Sequence, residues 1–432
     1  MVMCFLLFFV TYIIGDLCQK HADINIYMKE ERGLKIAVLG AGAMGSMLGA
    51  YMQLGGADVT LLVRRKELAD KLTSPGLVMR SYTGADGEKT EVGPIPMKAA
   101  TDCNGLGEMD AVLVMVKGCD TKSALEGAAP IIGENTKVIT LQNGIGNTDI
   151  IEESVKKENI YYGCVNMSAI MSAPAVLDTG LFGDVNVAFG SVVKGDEQKK
   201  FGDELTAVLT AGGLKAAYSD DIDTEVWYKL LVNIAVNAGC GLVRLRGGEA
   251  GNDQDFTLLA VDMLKEAIAV GMASGVKLDF NYFMTHILPV ARKTSGLHYP
   301  SMAQDMLMKK APTEIEFING AVERLGKKAG IPTPVNTTIS RLVRTIERNY
   351  DKQYKDKTGK TGPSFKVKIA EKFCKGCGYC IKYCPKKVLK AEDTLNAKGY
   401  VKVKVASEAD CIGCLSCSTV CPEAAITVIK ED

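Results

Sequence analysis

A cysteine pattern that occurs twice near the C-terminus constrains this chain more than any other feature. Eight of the fourteen cysteines lie in the last 59 residues, in two copies of the spacing C-x2-C-x2-C-x3-C-P. The first copy comprises Cys374, Cys377, Cys380 and Cys384, and the second comprises Cys411, Cys414, Cys417 and Cys421. This run is typical of segments that hold two cubane iron–sulfur clusters, and it favours iron over the alternative, zinc. We therefore predict two 4Fe-4S clusters.

Composition places the whole chain among globular proteins with several domains. Its 432 residues are 47% hydrophobic and 24% charged, with a formal net charge of zero. Without a basic excess we expect no nucleic-acid partner. Cysteines that cluster in a long chain indicate metal binding rather than disulfides. Because thiolate ligands require a reducing compartment, we expect a cytoplasmic protein.

Residues 1–27 form an apolar extension. The apolar run 2–14 is shorter than the roughly 20 residues that a membrane helix needs. No Lys or Arg precedes it, as a signal peptide would require. Since Met28 opens a charged lead into a strand, we favour the interpretation that residues 1–27 are not translated. A membrane anchor is the alternative.

Residues 28–219 are expected to form an α/β domain of the Rossmann type. Short apolar runs at 34–39, 58–63, 109–116 and 138–141 alternate with helical patterns, and more strands surround a helix at about 196–211. This alternation predicts a parallel sheet that is covered on both faces. The remaining predicted segments are an all-helical domain at 220–350, a polar linker at 351–364 and a small α+β domain at 365–432.

A glycine turn follows the first predicted strand. The turn consists of Gly40, Ala41, Gly42, Ala43, Met44 and Gly45. Gly40 permits the tight turn, Gly42 lets the backbone approach a pyrophosphate, and Gly45 lets the helix pack on the strand. With a strand before it and a helix after it, the turn predicts dinucleotide binding.

Two arginines at the end of the second strand indicate which dinucleotide binds. Enzymes that bind NAD carry Asp or Glu there, whereas this chain has Arg64 and Arg65. A guanidinium pairs well with a 2′-phosphate, which predicts NADP(H). The alternative is that both arginines are solvated surface charges.

Polar residues recur every four positions on an otherwise apolar helix. Lys229, Asn233 and Asn237 share one face of the segment EVWYKLLVNIAVNAG. A helix that is apolar nearly all round is buried, and buried polar groups need partners. A polar substrate is one such partner, and an internal hydrogen-bond network is the alternative.

Four further polar residues could meet this face. Lys117 and Asn143 follow buried strands, at the edge where open parallel sheets bind ligands. Ser301 and Glu314 lie in the helical domain, where each alone would be interpreted as a surface residue.

Together, these segments resemble ketopantoate reductase (2-dehydropantoate 2-reductase) over about residues 34–350. The motifs GAGAMG, VMVKG, QNGIG, WYKLLVN, SMAQD and TEIEFING stand in that family's order. The resemblance implies that NADPH reduces a 2-oxo acid, in the synthesis of pantothenate and coenzyme A. Two departures concern the substrate pocket: Gly247 stands near a family asparagine, and the spacing from Ser301 to Glu314 is one residue longer.

The resemblance also implies roles for single residues. Lys229 matches the general acid, and Asn233 and Asn237 match amides that hold the substrate. Asn143 and Ser301 match contacts to substrate and cofactor, and Glu314 matches the acid that orients the bound hydroxyls. Lys117 and Arg64 match contacts to the nicotinamide side and to the 2′-phosphate.

The C-terminal segment resembles two-cluster bacterial ferredoxins, in particular the small iron–sulfur subunit of 2-oxoacid:ferredoxin oxidoreductases. In such ferredoxins the fourth cysteine of each run ligates the other cluster. The resemblance implies one cluster on Cys374, Cys377, Cys380 and Cys421, and another on Cys384, Cys411, Cys414 and Cys417. The subunits of such an oxidoreductase are candidate partners. In the alternative function, the chain is its iron–sulfur subunit and the NADP-binding part is a scaffold or sensor.

Overall fold

An eight-stranded sheet organises the first part of the chain. The computed structural model describes residues 33–83, 88–181, 183–295, 299–353 and 364–431, and all counts refer to these residues. They divide into two units, Met1–Arg344 and Thr345–Asp432. The strands of the first unit are β1 (Lys35–Leu39), β2 (Asp58–Leu62), β3 (Leu77–Thr83), β4 (Glu88–Ile95), β5 (Lys98–Ala100), β6 (Ala111–Val114), β7 (Lys137–Thr140), β8 (Ile160–Val165), β9 (Met167–Ala173), β10 (Val176–Leu181), β11 (Val187–Ser191) and β12 (Ala216–Tyr218).

The large sheet has the strand order β12-β11-β8-β7-β6-β1-β2-β5. All neighbours run parallel except β8 and β11. Alternate residues of β1 enter two separate cores, with Ile36 and Val38 on one face and Ala37 and Leu39 on the other. The first unit's α/β helices are α1 (Ala43–Leu54), α2 (Lys66–Thr73), α3 (Thr121–Ala128), α4 (Asn147–Ile151) and α5 (Asp196–Ala211). The predicted Rossmann-type fold is confirmed.

A second sheet has the order β4-β3-β10-β9. Its central pair joins Val78 to Val176 in parallel register, although nearly a hundred residues separate them. The sequence does not predict β3 and β4, because their pairing depends on a segment far away in the chain.

The rest of the first unit is helical in its described residues, as predicted. Its helices are α6 (Ile222–Val243), α7 (Gly247–Gly251), α8 (Gln254–Ala273), α9 (Phe280–Tyr282), a π-helical turn (Phe283–Ile287), α10 (Leu288–Ser295), α11 (Ser301–Leu307), α12 (Asn319–Ala329) and α13 (Pro334–Glu347). Helix α6 packs on α8 and α11, and Trp227, Leu230, Leu231 and Ile234 are at most 4% exposed. Among the described helices, α6 alone is long and apolar enough to cross a membrane, and 61% of its most apolar stretch is buried inside the protein. Residues 1–27 and 354–363 lie outside the described residues.

The second unit is a small α+β fold with an internal repeat, as predicted. Its elements are β13 (Ser364–Ile369), α14 (Tyr379–Lys382), β14 (Leu389–Leu395), β15 (Val401–Val405), α15 (Ser416–Thr419) and β16 (Ile426–Glu431). Antiparallel pairing joins β13 to β16 and β14 to β15. Its core combines aliphatic residues such as Val367, Leu389 and Val403 with the buried Cys380 and Cys417.

Candidate active site and candidate cluster sites

The glycine turn after β1 combines two crowded positions with one open position. Gly40 has a φ of +87°, and a Cβ there would lie 2.6 Å from the backbone nitrogen of Val116. A Cβ on Gly45 would lie 2.5 Å from the carbonyl oxygen of Gly40. At Gly42 the nearest atom would be 4.0 Å away, immediately before α1 begins. The turn therefore leaves space at the helix N-terminus, where backbone N–H groups favour phosphate.

The two arginines after β2 lie at the protein surface. The side chain of Arg64 is 90% exposed, and its Nη2 lies 3.4 Å from an oxygen of Asp120. An ion pair this exposed contributes at most about 1 kcal/mol, so it leaves Arg64 available for a phosphate. Arg65 directly precedes α2 and has an extended backbone.

The polar face of α6 carries side-chain atoms that lack partners. The Lys229 ammonium makes no hydrogen bond or ion pair with any described residue, and burial lowers its pKa from the ordinary value of 10.5. The Nδ2 atom of Asn237 is buried without a hydrogen-bond partner in the described structure. Such groups destabilise a fold unless a ligand or ordered water satisfies them.

A hydrogen-bonded chain connects this face to the Rossmann-type sheet. Asn233 Nδ2 donates to Asn143 Oδ1 at 3.4 Å, and Asn143 Nδ2 donates to Glu314 Oε2 at 3.3 Å. Burial raises the pKa of Glu314, while attraction to Lys117 and the bond from Asn143 oppose that shift. The structure thus brings together four predicted residues from both parts of the unit: Lys117, Asn143, Asn233 and Glu314. Asn237 lies on the same helix face as Asn233, one turn further along.

Helix α11 carries one predicted site residue, Ser301, and one residue that the sequence did not indicate, Asp305. Ser301 begins the helix, is exposed, and makes no side-chain hydrogen bond to the other predicted site residues in the described structure. Asp305, which was not among the predicted residues, forms an ion pair with Lys117. Its position four residues after Ser301, on the same helix face, is the signal that could have identified it.

The loop after β7 is fitted closely against the helical part. The backbone nitrogen of Ile145 donates to the carbonyl oxygen of Phe317 at 2.8 Å. A Cβ on Gly144, whose φ is +87°, would lie only 2.1 Å from that same oxygen. Gly144 is therefore required for this close approach, which holds Asn143 beside the helical residues.

Two cavities in the second unit each collect cysteines from both runs. Cys384, Cys411, Cys414 and Cys417 line one cavity, and Cys374, Cys377, Cys380 and Cys421 line the other. Burial, followed by the charges of neighbouring cysteines, raises the pKa of Cys417 to about 11. Among the described residues, no three candidate ligands converge on a single metal ion. Four thiols that surround a cavity suit a cluster, because its ligands bind different iron atoms.

Backbone amides donate to one sulfur at each cavity. Val388 N donates to Cys384 Sγ, and Ala425 N donates to Cys421 Sγ, each at 3.3 Å. The two bonds occupy equivalent places in the repeat, four residues after each run's last cysteine. Hydrogen bonds to cluster sulfurs tune reduction potential, so this backbone fits the predicted group.

Comparisons with known proteins agree with this architecture. Residues 36–192 match the family model "Ketopantoate reductase PanE/ApbA", and residues 221–347 match the model of its C-terminal domain. Residues 373–425 match the "4Fe-4S dicluster domain". The 2-dehydropantoate 2-reductase of Lactococcus lactis is 31% identical over 73% of this chain and 98% of its own length. The enzyme of the same name from Pyrococcus horikoshii is 30% identical over the same shares.

Solved structures of related proteins are similar to this chain over nearly three quarters of its length. A D-mandelate dehydrogenase in complex with NADH and anilino(oxo)acetate is 30% identical, with a TM-score of 0.65 over 74% of this chain and all of that protein. A putative 2-dehydropantoate 2-reductase from Enterococcus faecalis is 31% identical, with a TM-score of 0.55 over 73% of this chain and 98% of that protein. The chain belongs to the ketopantoate reductase family, and it is an oxidoreductase that carries a C-terminal domain of the 4Fe-4S ferredoxin type.

Proposed function

We propose that this enzyme reduces 2-dehydropantoate to pantoate with NADPH, a step of pantothenate and coenzyme A synthesis. One observation carries the proposal. Lys229 and Asn237 share the polar face of a buried helix, and each presents a nitrogen without a partner among the described residues. A 2-oxo acid supplies the oxygen atoms that such donors need.

Lys229 is the general acid in this proposal. A nicotinamide held in this site would supply the hydride that the carbonyl carbon accepts. Lys229 donates a proton to the carbonyl oxygen, so that a hydroxyl forms. Its positive charge also stabilises the oxygen as negative charge develops there. Because burial lowers the pKa of Lys229, the ammonium is a better proton donor near neutral pH than an exposed lysine.

The hydrogen-bonded chain positions the substrate. Asn143 and Asn233 already bond to each other, and Asn143 bonds to Glu314. We assign Asn143, Asn233, Asn237 and Ser301 to substrate binding, and Glu314 to the orientation of hydroxyl groups. Precise placement of this kind contributes much of the rate enhancement of an enzyme.

The cofactor assignment rests on the turn and on Arg64. The turn residues Gly40–Gly45 would hold the pyrophosphate, and the open position at Gly42 leaves space for it. Arg64 would hold the 2′-phosphate, and Lys117, Asn143 and Glu314 would complete the cofactor contacts. The structurally similar D-mandelate dehydrogenase binds NADH, so the choice of nucleotide needs a direct test.

We assign each cysteine-lined cavity to one 4Fe-4S cluster. The cysteines that line the cavities are the two ligand sets given above. A hydride carries two electrons and a cluster passes one, and a flavin normally separates the pair. The clusters therefore serve a separate one-electron partner, for which subunits of a cytoplasmic 2-oxoacid:ferredoxin oxidoreductase are the candidates.

The decisive experiment measures NADPH oxidation by the cluster-loaded protein with and without 2-dehydropantoate. We expect NADPH oxidation only when substrate is present. Lys229→Ala should lose this activity. Lys265→Ala should keep it, because Lys265 is an exposed lysine on α8 and serves as the control. Parallel assays with NADH and with phenylglyoxylate test the mandelate-type alternative. NADPH binding without turnover on any 2-oxo acid would favour the scaffold function instead.

A further inference from the structure

We propose that Gln142 is a positioning residue that fixes the separation of Lys117 and Asn143, an inference that rests on the reductase function proposed above. Gln142 directly precedes Asn143, and Val116 directly precedes Lys117. Gln142 is only 7% exposed, and protein groups occupy both its amide nitrogen and its amide oxygen, so it acts through its neighbours rather than by touching substrate.

The amide of Gln142 is fully engaged. Its Nε2 donates to the carbonyl oxygen of Val116 at 2.7 Å and to Oγ1 of Thr121 at 2.9 Å. Its Oε1 accepts from Oγ1 of Thr140 at 2.8 Å. Turning the amide over would place an oxygen against the Val116 carbonyl, so these three partners fix its orientation.

The Gln142 amide connects the two segments just beyond the point where the pairing of β6 and β7 ends. The register between β6 and β7 ends at Val114 and Thr140. Beyond these residues the two strands continue into loops, one of which carries Lys117 and the other Asn143. The bond from Gln142 to Val116 ties the loops together at that point.

The separation matters because both loops approach Glu314. Asn143 donates to its carboxylate at 3.3 Å, and the charge of Lys117 stabilises the ionised form. If the loops moved apart, Glu314 would lose the hydrogen bond from Asn143 or the attraction of the Lys117 charge. A displacement of about 1 Å in an active site can lower activity about 100-fold.

The opposite end of the same strand pair offers a matched control. The Thr136 hydroxyl donates to the carbonyl oxygen of Met109 at 2.7 Å and accepts from Gly133 N at 2.9 Å. Thr136 is 1% exposed, and it connects the segments that lead into β6 and β7. It is thus a buried polar link between the same two strands at the edge away from the site.

The test compares Gln142→Glu, Thr121→Val and Thr136→Val in the full-length, cluster-loaded protein. Gln142→Glu keeps the size but loses the donor to Val116, and Thr121→Val removes only the second acceptor. We expect kcat/KM for the 2-oxo acid to fall at least about 10-fold in Gln142→Glu, through a higher KM, and less in Thr121→Val. Thr136→Val should lower the Tm and leave kcat/KM at the wild-type value.

If all three variants lose Tm equally and keep the wild-type kcat/KM, Gln142 has only a structural role and the inference is overturned. If Gln142→Glu does not fold, Thr121→Val decides, since an unchanged KM there would also overturn the inference. Failure of the proposed function is a distinct outcome, because the wild-type protein itself would then not oxidise NADPH with the 2-oxo acid.

Discussion

The side-chain amide of Asn233 donates a hydrogen bond to the side-chain oxygen of Asn143 at 3.4 Å, although the two residues lie 90 positions apart. The bond joins the polar face of α6 to the loop that follows β7. It places the unpartnered Lys229, one turn before Asn233, on the helix face that meets the edge of the sheet. The candidate site therefore depends on both parts of the first unit.

Replacing Lys229 by methionine should remove activity and raise stability. The ammonium has no partner among the described residues, and burial disfavours its charge. Methionine has a similar length and no charge to desolvate. Loss of a general acid lowers kcat by about 10²- to 10⁴-fold, and each kcal/mol gained should raise the Tm by roughly 2 °C. Steady-state kinetics and thermal melts of the same sample test both effects, and a lower Tm would contradict the assignment of an unpartnered, desolvated lysine that is kept for function.

The pH profile of reduction should fall on both sides for different reasons. In the proposed mechanism, reduction requires the protonated form of Lys229. Because burial lowers the pKa of Lys229, kcat/KM should decline at a lower pH than it would with an exposed lysine. The same mechanism requires the ionised form of Glu314 to accept hydrogen bonds from the substrate hydroxyls. Because burial raises the pKa of Glu314, the acid limb should lie above the ordinary glutamate value of 4.5.

Glu314→Gln separates the two limbs. It should remove the acid limb, at a reduced rate, and keep the alkaline limb. An acid limb that persists in this variant would assign it to another group.

Arg64 should select the nucleotide. Arg64→Ala should raise the KM for NADPH about tenfold, because hydrogen bonds to charged groups contribute about 1.5–3 kcal/mol. The KM for NADH should stay the same. Asp120→Asn should lower the KM for NADPH slightly, since the exposed pair with Asp120 competes for the guanidinium. Equal effects on NADPH and NADH would show that Arg64 is a surface charge.

NADPH alone should not reduce the clusters. The two electrons of a hydride must be separated before a 4Fe-4S cluster can accept one, and the sequence shows no second nucleotide-binding fingerprint. Anaerobic mixing of NADPH with the cluster-loaded protein should leave the visible cluster absorbance unchanged, whereas dithionite should bleach it. Prompt bleaching by NADPH would contradict this prediction, because it would require electron transfer from the nicotinamide to the clusters.

The part of the fold that could be predicted is the part determined by local pattern. The helix predicted at 196–211 spans the same residues, Asp196–Ala211, because charged and apolar residues alternate there with helical period. The buried strands around Ala111–Val114 and Lys137–Thr140 are likewise apolar runs between polar or glycine residues. The second sheet escaped prediction because β3 finds its partner β10 far along the chain.

The site residues, too, could be predicted only where a single sequence segment shows their pattern. The repeat of Lys229, Asn233 and Asn237 on an apolar helix is visible in one segment. Gln142 and Asp305 are not, since a polar residue in a loop or on a short helix is usually solvated. Only the folded structure shows that Gln142 ties down Val116 and that Asp305 pairs with Lys117.

Pairs of cysteine substitutions should reveal which thiols share a cluster. In the proposed arrangement Cys421 and Cys377 hold the same cluster, so the double variant of both to serine should keep about half of the iron. Cys421 and Cys414 line different cavities, so that double variant should lose nearly all of it. Ligation of each cluster by a single run would reverse this order, because Cys414 and Cys421 would then share a cluster. Iron analysis and electron paramagnetic resonance of the reduced proteins distinguish the two arrangements. Cys119→Ser, an exposed thiol in the first unit, should retain the full iron content as the control.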